Sequence, residues 1–508
     1  MLASAAAVST ASALQTPSAR LLGAVARRVS KPDAFTTPLR LPRELRGAEI
    51  TIPIVAAKQQ ILPGPKTALW TYDGSFPGPT IRRPAGATTR VSFEHHLPAA
   101  AGELTVHLHG GHVASDQDGQ PGGLTAAQPR AGYCRIDPNL SPTESGNDLL
   151  IAPGGRRTYN YELTEAGEPE RAAFQWYHDH RLERTAANIW RGLAGMFIVD
   201  DDLDAALGLP RGRRDIALML SDRSFDRQNQ LTDPFSGRPP SDGSVGEHVL
   251  VNGRIRPFHR VDAARYRLRL LNGSHFRSYR LSLTPKLRVH QIATESGLIP
   301  APLSRDQILI GPGERVELVV DFSSARGERV RLRSTPRPGP FGPDSRSWDG
   351  ELVEFRVADH RGTDNSSLPR QLRPLPAWTA SAPRTPSHTW KITLSGDFNP
   401  RWLINNRSFD PSYSDISVPI GSTVCWEIAN RTSVPHLFHL HSTDWLLLAR
   451  NGVAPPLYEQ ALKETFLIDP YESVLIAGRL TDHLGKYVVH CHMLDHEDHG
   501  LMSQFEVV

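Results

Sequence analysis

The sequence predicts an all-β protein of three consecutive Greek-key β-sandwich domains, and three observations carry that expectation. First, the 508 residues include 40 glycines and 42 prolines, a turn-rich composition, and stripes of helical period are scarce. Second, short alternating segments of β-branched and aromatic residues recur between turn signals. Third, one ordered pattern of turn, strand and second turn appears three times, as internal repeats do.

The repeat opens with Tyr72-Asp73-Gly74-Ser75-Phe76-Pro77 in the first copy. In the second it opens with Val251-Asn252-Gly253-Arg254-Ile255-Arg256-Pro257, and in the third with Ile404-Asn405-Asn406-Arg407-Ser408-Phe409-Asp410-Pro411. An alternating strand follows each time, around Arg90–Glu94, Tyr266–Asn272 and Val424–Asn430. The second turn is Ala152-Pro153-Gly154-Gly155, then Gly311-Pro312-Gly313-Glu314, then Asp469-Pro470-Tyr471-Glu472, with strands such as Val316–Phe322 beyond. Composition shifts near Asp200–Arg214 and the proline-rich stretch Pro369–Pro386 set the expected domains at 45–205, 206–375 and 376–508, after an N-terminal tail over 1–44.

Lysines and arginines number 57 against 54 acidic residues. This near balance, with no basic run interleaved with aromatics, gives no case for nucleic acid. No apolar run approaches the ~20 residues that span a bilayer. Met1–Ser18 is rich in alanine and serine and contains Ala11-Ser12-Ala13, like the core and cleavage end of an export signal. The basic region that should precede it is missing. Export, hence a secreted or extracytoplasmic location, is the expectation; a start codon placed too far downstream would account for the missing charge, and a disordered tail is the alternative. Of the three cysteines, Cys134, Cys425 and Cys491, Cys425 sits in a strand-like segment and reads as a small buried hydrophobe rather than as half of a disulfide with Cys134.

The chemistry concentrates at the C-terminus, in His490-Cys491-His492-Met493-Leu494-Asp495-His496-Glu497-Asp498-His499-Gly500-Leu501-Met502. Gly485–Val489 favours a strand that runs into the triplet. Neighbouring side chains on a strand face opposite ways, so His490 and His492 serve one site and Cys491 another. A thiolate with two imidazoles and a weak axial ligand is a copper electron-transfer set. His436 and His496 are placed to complete it.

Three more His-x-His pairs reinforce the reading: His107/His109 and His178/His180 in the first copy, and His439/His441 in the third. Such a pair offers two imidazoles on one face, ~7 Å apart at ~3.3 Å per residue, which suits two adjacent metals better than one. Four pairs supply enough ligands for three coppers between the outer copies. The middle copy carries Ser278–Leu283 at the corresponding strand and no such pair, so it reads as a spacer. His275, His290, His360 and His483 read as ordinary structural histidines, and His112 and His499 are left open.

Together, Val106–Gly111, Trp176–His180, Pro435–His441 and His490–Met502 resemble the four copper signatures of the multicopper oxidases, in particular the bacterial three-domain, laccase-like group. The likeness runs from about Thr67 to the C-terminus. It implies cupredoxin-like domains and four copper ions per chain. A blue copper would be held by His436, Cys491 and His496. In a trinuclear cluster, His107 and His439 would hold one ion, His109, His178 and His492 a second, and His180, His441 and His490 the third. The resemblance further implies one-electron oxidation of phenols or aromatic amines coupled to reduction of dioxygen to water.

Glu497 and Asp118 match acidic positions of that family and are expected to move protons to the cluster; anchoring of loops or ligand imidazoles is the plainer alternative. The sequence departs from the bacterial pattern at the axial position, where Leu501 replaces methionine, and adjacent Met502 should face away unless a bulge intervenes. Two rivals remain. A copper-free structural protein predicts gaps in the ligand set, and there are none. A cuprous oxidase predicts a methionine-rich insert, and only five methionines occur. A nitrite reductase would not need four His-x-His pairs.

Overall fold

A computed structural model describes residues 34–122, 149–234, 243–335, 350–361, 363–396 and 401–508. The signal-like stretch Met1–Ser18 and Cys134 lie outside them. The described chain is all-β, with six main sheets in three consecutive pairs. In the first pair, a four-stranded sheet (Glu49–Gln59, Thr67–Tyr72, Thr89–His95, Arg156–Tyr161) shares a core with a five-stranded sheet (Glu44–Leu45, Thr80–Pro84, Val106–His109, Ala173–Asp179, Ala194–Asp200). The second pair has seven and five strands between Asp215 and Arg361, and the third has six and five between His388 and Val507.

Side-chain alternation explains how the strands lie. Ile50, Ile52 and Ile54 are buried on one face of Glu49–Gln59 while Glu49 and Thr51 stay exposed. Parallel pairing of Glu49–Gln59 with Thr89–His95 is matched by Asp215–Arg223 with Arg265–Asn272 and by His388–Leu394 with Thr423–Asn430. One topology is therefore used three times. Its turns repeat as well: Asp73-Gly74, Asn252-Gly253 and Asn405-Asn406 each place two successive residues at positive φ, the conformation of the tightest hairpins. In the second turn, Gly154, Gly313 and Tyr471 follow a proline at positive φ, each closed by a bond between residues three apart.

The units are fastened by buried charge. Arg267 reaches Asp204 at 2.9 Å and Glu317 at 2.5 Å, Arg269 reaches Asp215 and Glu317, and Arg82 of the first unit joins Asp215 at 2.9 Å. Arg315 of the middle unit donates to the Phe174 carbonyl of the first at 2.7 Å and pairs with Glu464 of the third. In the third unit Trp390, Trp402, Trp426 and Trp445 fill the core. Cys425 is a free, buried thiol packed with Leu446, Leu448 and Leu462, as expected of a small hydrophobe.

Candidate metal centre

The two outer units present their His-x-His pairs to one another. In the first, His107 lies opposite His178 across antiparallel strands; in the third, His439 lies opposite His490. The pairs interleave across the junction: His107 stacks on His441 with ring centres 3.9 Å apart, and His109 on His439 at 3.8 Å. All eight imidazoles are buried. Potential ligand atoms lie within 4.8 Å of one another in three trios: His107, His109 and His439; His109, His178 and His492; His180, His441 and His490. In the last trio, His490 Nε2 stands 3.2 Å from both His180 Nε2 and His441 Nε2.

Outer hydrogen bonds hold the rings. His107 Nδ1–H donates to the Asp118 carbonyl at 2.7 Å, His178 Nδ1–H to the Asp179 carbonyl at 2.9 Å, and His439 Nδ1–H to the Glu464 carbonyl at 3.0 Å. The Asp118 carboxylate accepts from His441 Nδ1 at 2.7 Å. Glu497 bridges two rings, 3.0 Å from His490 Nδ1 and 3.5 Å from His180 Nδ1. With one nitrogen fixed, His107 Nε2, His178 Nε2 and His439 Nε2 are left buried without a hydrogen-bond partner. Buried nitrogens in that state suit metal ligation.

Electrostatics favour the same use. Burial holds His109, His178, His439 and His441 well below the usual imidazole range and His180 and His492 down at about 3, so their lone pairs stay available. Burial alone would push the Glu497 carboxyl up, but the His490 and His180 imidazoles outweigh it and hold Glu497 well below the usual range. For Asp118 burial wins over His107, and the carboxyl is raised.

Behind the penultimate strand, Gly485–Cys491, lies the second centre. Cys491 Sγ is 3.5 Å from His436 Nδ1 and 3.7 Å from His496 Nδ1, and those two nitrogens are 3.2 Å apart. Burial pushes the Cys491 thiol up to about 12 and His436 down to about 3. His496 rides on the short helix Leu494–Asp498. Thr432 Oγ1 lies 3.0 Å from His436 Nε2. Leu501 is buried in the same core cluster as Cys491. Met502 packs in another, with Leu182, Phe409 and Val488, so no bulge turns it toward the thiol. A thiol with two imidazoles, and three trios of imidazoles, fit copper by donor type.

All eleven predicted ligands, with Asp118 and Glu497, thus converge on two adjoining centres. Some contributors carry no signal in the sequence. The Trp402 ring lies 4.5 Å from His496 and 4.9 Å from His436, and Phe276 of the middle unit lies 5.5 Å from His496. Glu464 Oε1 stands 3.3 Å from His109 Nε2. Trp176 packs 4.2 Å from His178, and its place inside the Trp176–His180 motif was the one available clue. The middle unit supplies none of the eleven, yet it is more than a spacer: a Cβ on Gly313 would stand 2.9 Å from the His492 ring. Of the histidines left open, His112 pairs with Asp444 at 3.6 Å and His499 bonds the Asp495 carbonyl at 2.5 Å.

Three β-sandwiches that enclose a histidine nest backed by a Cys-His-His set define a copper oxidoreductase of the cupredoxin-like class. The multicopper oxidase profile matches residues 54–133 and 383–508. A laccase of Haloferax volcanii is 31% identical over 94% of this chain and 85% of its own length. A bilirubin oxidase of Albifimbria verrucaria is 29% identical over 93% and 81%. The crystal structure of a laccase from Pediococcus acidilactici superposes with a TM-score of 0.78 at 30% identity, covering 94% of this chain and 95% of that one. The chain belongs to the multicopper oxidase family, and as such is a copper-dependent oxidoreductase with oxygen as acceptor.

Proposed function

We propose that the protein is a laccase-like oxidase that takes single electrons from small phenolic and aromatic-amine donors at the Cys491 centre and reduces dioxygen to two waters at the eight-histidine centre. The observation that carries this reading is the split of one triplet: Cys491 faces His436 and His496, while His490 and His492 face the other imidazoles. Two peptide links therefore give a short covalent path between the centres.

Four copper ions fit the donor sets. His436, Cys491 and His496 would hold one; His107 with His439, His109 with His178 and His492, and His180 with His441 and His490 would hold three. Bound copper supplies reversible one-electron chemistry and a place for dioxygen to be reduced. The protein's own share is geometric and acid–base. The Trp402 and Phe276 rings exclude water from the His496 side, which leaves outer-sphere electron transfer with donors that approach this edge. Leu501, buried in the core cluster that holds Cys491, would withhold a thioether from a copper held there and so favour a high potential. Glu497, bridging two imidazoles, and Asp118, bonded to two more, are sited to hand protons to the buried centre.

Reconstitution with copper, followed by visible and near-ultraviolet spectra and oxygen uptake across phenols, aromatic amines, bilirubin and cuprous ions, tests the reading. Blue colour with phenol- or amine-dependent uptake is expected. Uptake with cuprous ions alone would assign the protein to metal oxidation instead.

A further inference from the structure

Reducing one dioxygen to two waters consumes four electrons and four protons. Among the eight cluster imidazoles, the Asp118 and Glu497 carboxylates pair with His107, His441, His180 and His490. On the side of His109 and His439 the structure holds a second set of buried ionisable groups that the mechanism above does not use. Glu464 lies 3.3 Å from His109, and the Asp444 charge acts on it. Asp444 pairs with His112 at 3.6 Å, and the charges of Glu165 and Glu170 also act on His112. Gln175 Nε2 ties the set to the ligand segment, donating to the Gly110 carbonyl and to Glu170 Oε1 at 2.9 Å each.

These groups are deeply buried: Glu170 is 3% exposed, His112 6% and Gln175 1%. Even so, Glu170 Oε2, Gln175 Oε1, His112 Nδ1 and Arg171 Nε have no hydrogen-bond partner. Buried polar atoms in this state are the kind that internal water satisfies. At the outer end, Glu165 is only half-buried on the Thr164–Glu165/Glu168–Pro169 hairpin, whose Glu168 is exposed and whose Ala166 N–H bonds Asp482.

Resting on the oxidase reading, we propose that Glu170, with His112 and Asp444, carries protons through internal water from the Glu165 hairpin to the His109 side of the histidine cluster, as a route separate from Asp118 and Glu497. Glu170 is a relay, not a group that touches oxygen. Its chemistry suits relaying at neutral pH: burial, reinforced by the Asp444 and Glu165 carboxylates and opposed by His112, pushes it up to about 8. The charged groups that act on it are His112, Asp444 and Glu165; Arg171 is its neighbour in the chain, and Glu464 is paired with Arg315.

The test uses copper-loaded full-length protein with ferrocyanide, a donor that releases no proton on oxidation, so that pH effects report the oxygen side. Glu170→Gln keeps the shape and the bond to Gln175 but cannot relay. The variant is expected to keep the blue absorption and anaerobic bleaching by ferrocyanide, to lose about tenfold or more of oxygen-uptake turnover, to lose the alkaline limb near pH 8, and to show a larger solvent deuterium isotope effect. Glu170→Asp is expected to restore part of the turnover and the limb. His112→Gln should reproduce the loss, and it decides the matter if Glu170→Gln does not load copper. Parent-like turnover, limb and isotope effect in both Gln variants would overturn the proposal, as would loss of blue absorption in both, which would make the cluster a structural support. No oxygen uptake by the parent would overturn the oxidase reading itself, and this inference with it.

Discussion

The Cys491 N–H donates to the Leu501 carbonyl at 3.0 Å, and the Leu501 N–H donates to the His496 carbonyl at 3.0 Å. Leu501, the proposed axial residue, is thereby tied by backbone to two of the proposed copper ligands, while Met502 packs in a separate core. Leu501→Met should bring a thioether to the blue centre and lower its potential. Spectroelectrochemical titration checks this; an unchanged or higher potential would remove Leu501 from the axial role.

Glu497 is held ionised between His490 and His180. Glu497→Gln keeps a hydrogen-bonding group of the same size but removes the carboxylate that would accept a proton and pass it on. Blue absorption should persist while oxygen-reduction turnover falls by about 10²-fold, the lower end of what a positioned acid–base group contributes. Stopped-flow reoxidation of the reduced protein measures it, and parent-like reoxidation across pH would refute the role.

Arg315 is fully buried and bonds Glu464 and the Phe174 carbonyl, so it ties all three units together beside the cluster. Arg315→Met leaves Glu464 buried without its cation and should cost about 3–5 kcal/mol in stability. Adding Glu464→Gln should recover much of that. Denaturant unfolding of the single and double variants distinguishes this from simple loss of packing, for which the second change would give no recovery.

Copper uptake at the Cys491 centre should depend on pH through the Cys491 thiol, with His436 silent. Because burial raises Cys491 to about 12 and lowers His436 to about 3, between pH 5 and 8 the thiol still carries its proton and the imidazole has none to lose. Binding then releases one proton, from Cys491, and affinity should rise about tenfold per pH unit. Chelator competition over that range measures the slope; a slope of zero would contradict the burial-driven protonation of Cys491.

Much of this was legible in the sequence because it is local. A His-x-His pair on a strand declares two imidazoles on one face, and Asp73-Gly74, Asn252-Gly253 and Asn405-Asn406 declare hairpins through the backbone they require. Leu501 and Met502 were separable by strand alternation alone. What escaped is what the topology assembles. Glu464 meets His109 across 355 positions of chain, and Trp402 and Phe276 reach His496 from different units. Gly313 and Arg315 looked like part of a turn and the start of a strand; only the packing of the middle unit against both neighbours shows them pressed on His492 and Glu464.

Replacing Cys491 by serine is the most direct test of the two-sided triplet. Copper-loaded parent protein should hold four ions per chain, with blue absorption. Cys491→Ser should lose the blue absorption and donor-driven oxygen uptake while retaining three ions, because His490 and His492 still face the other imidazoles. A parent that binds a single ion or is colourless, or a variant that empties both centres together, would contradict the account.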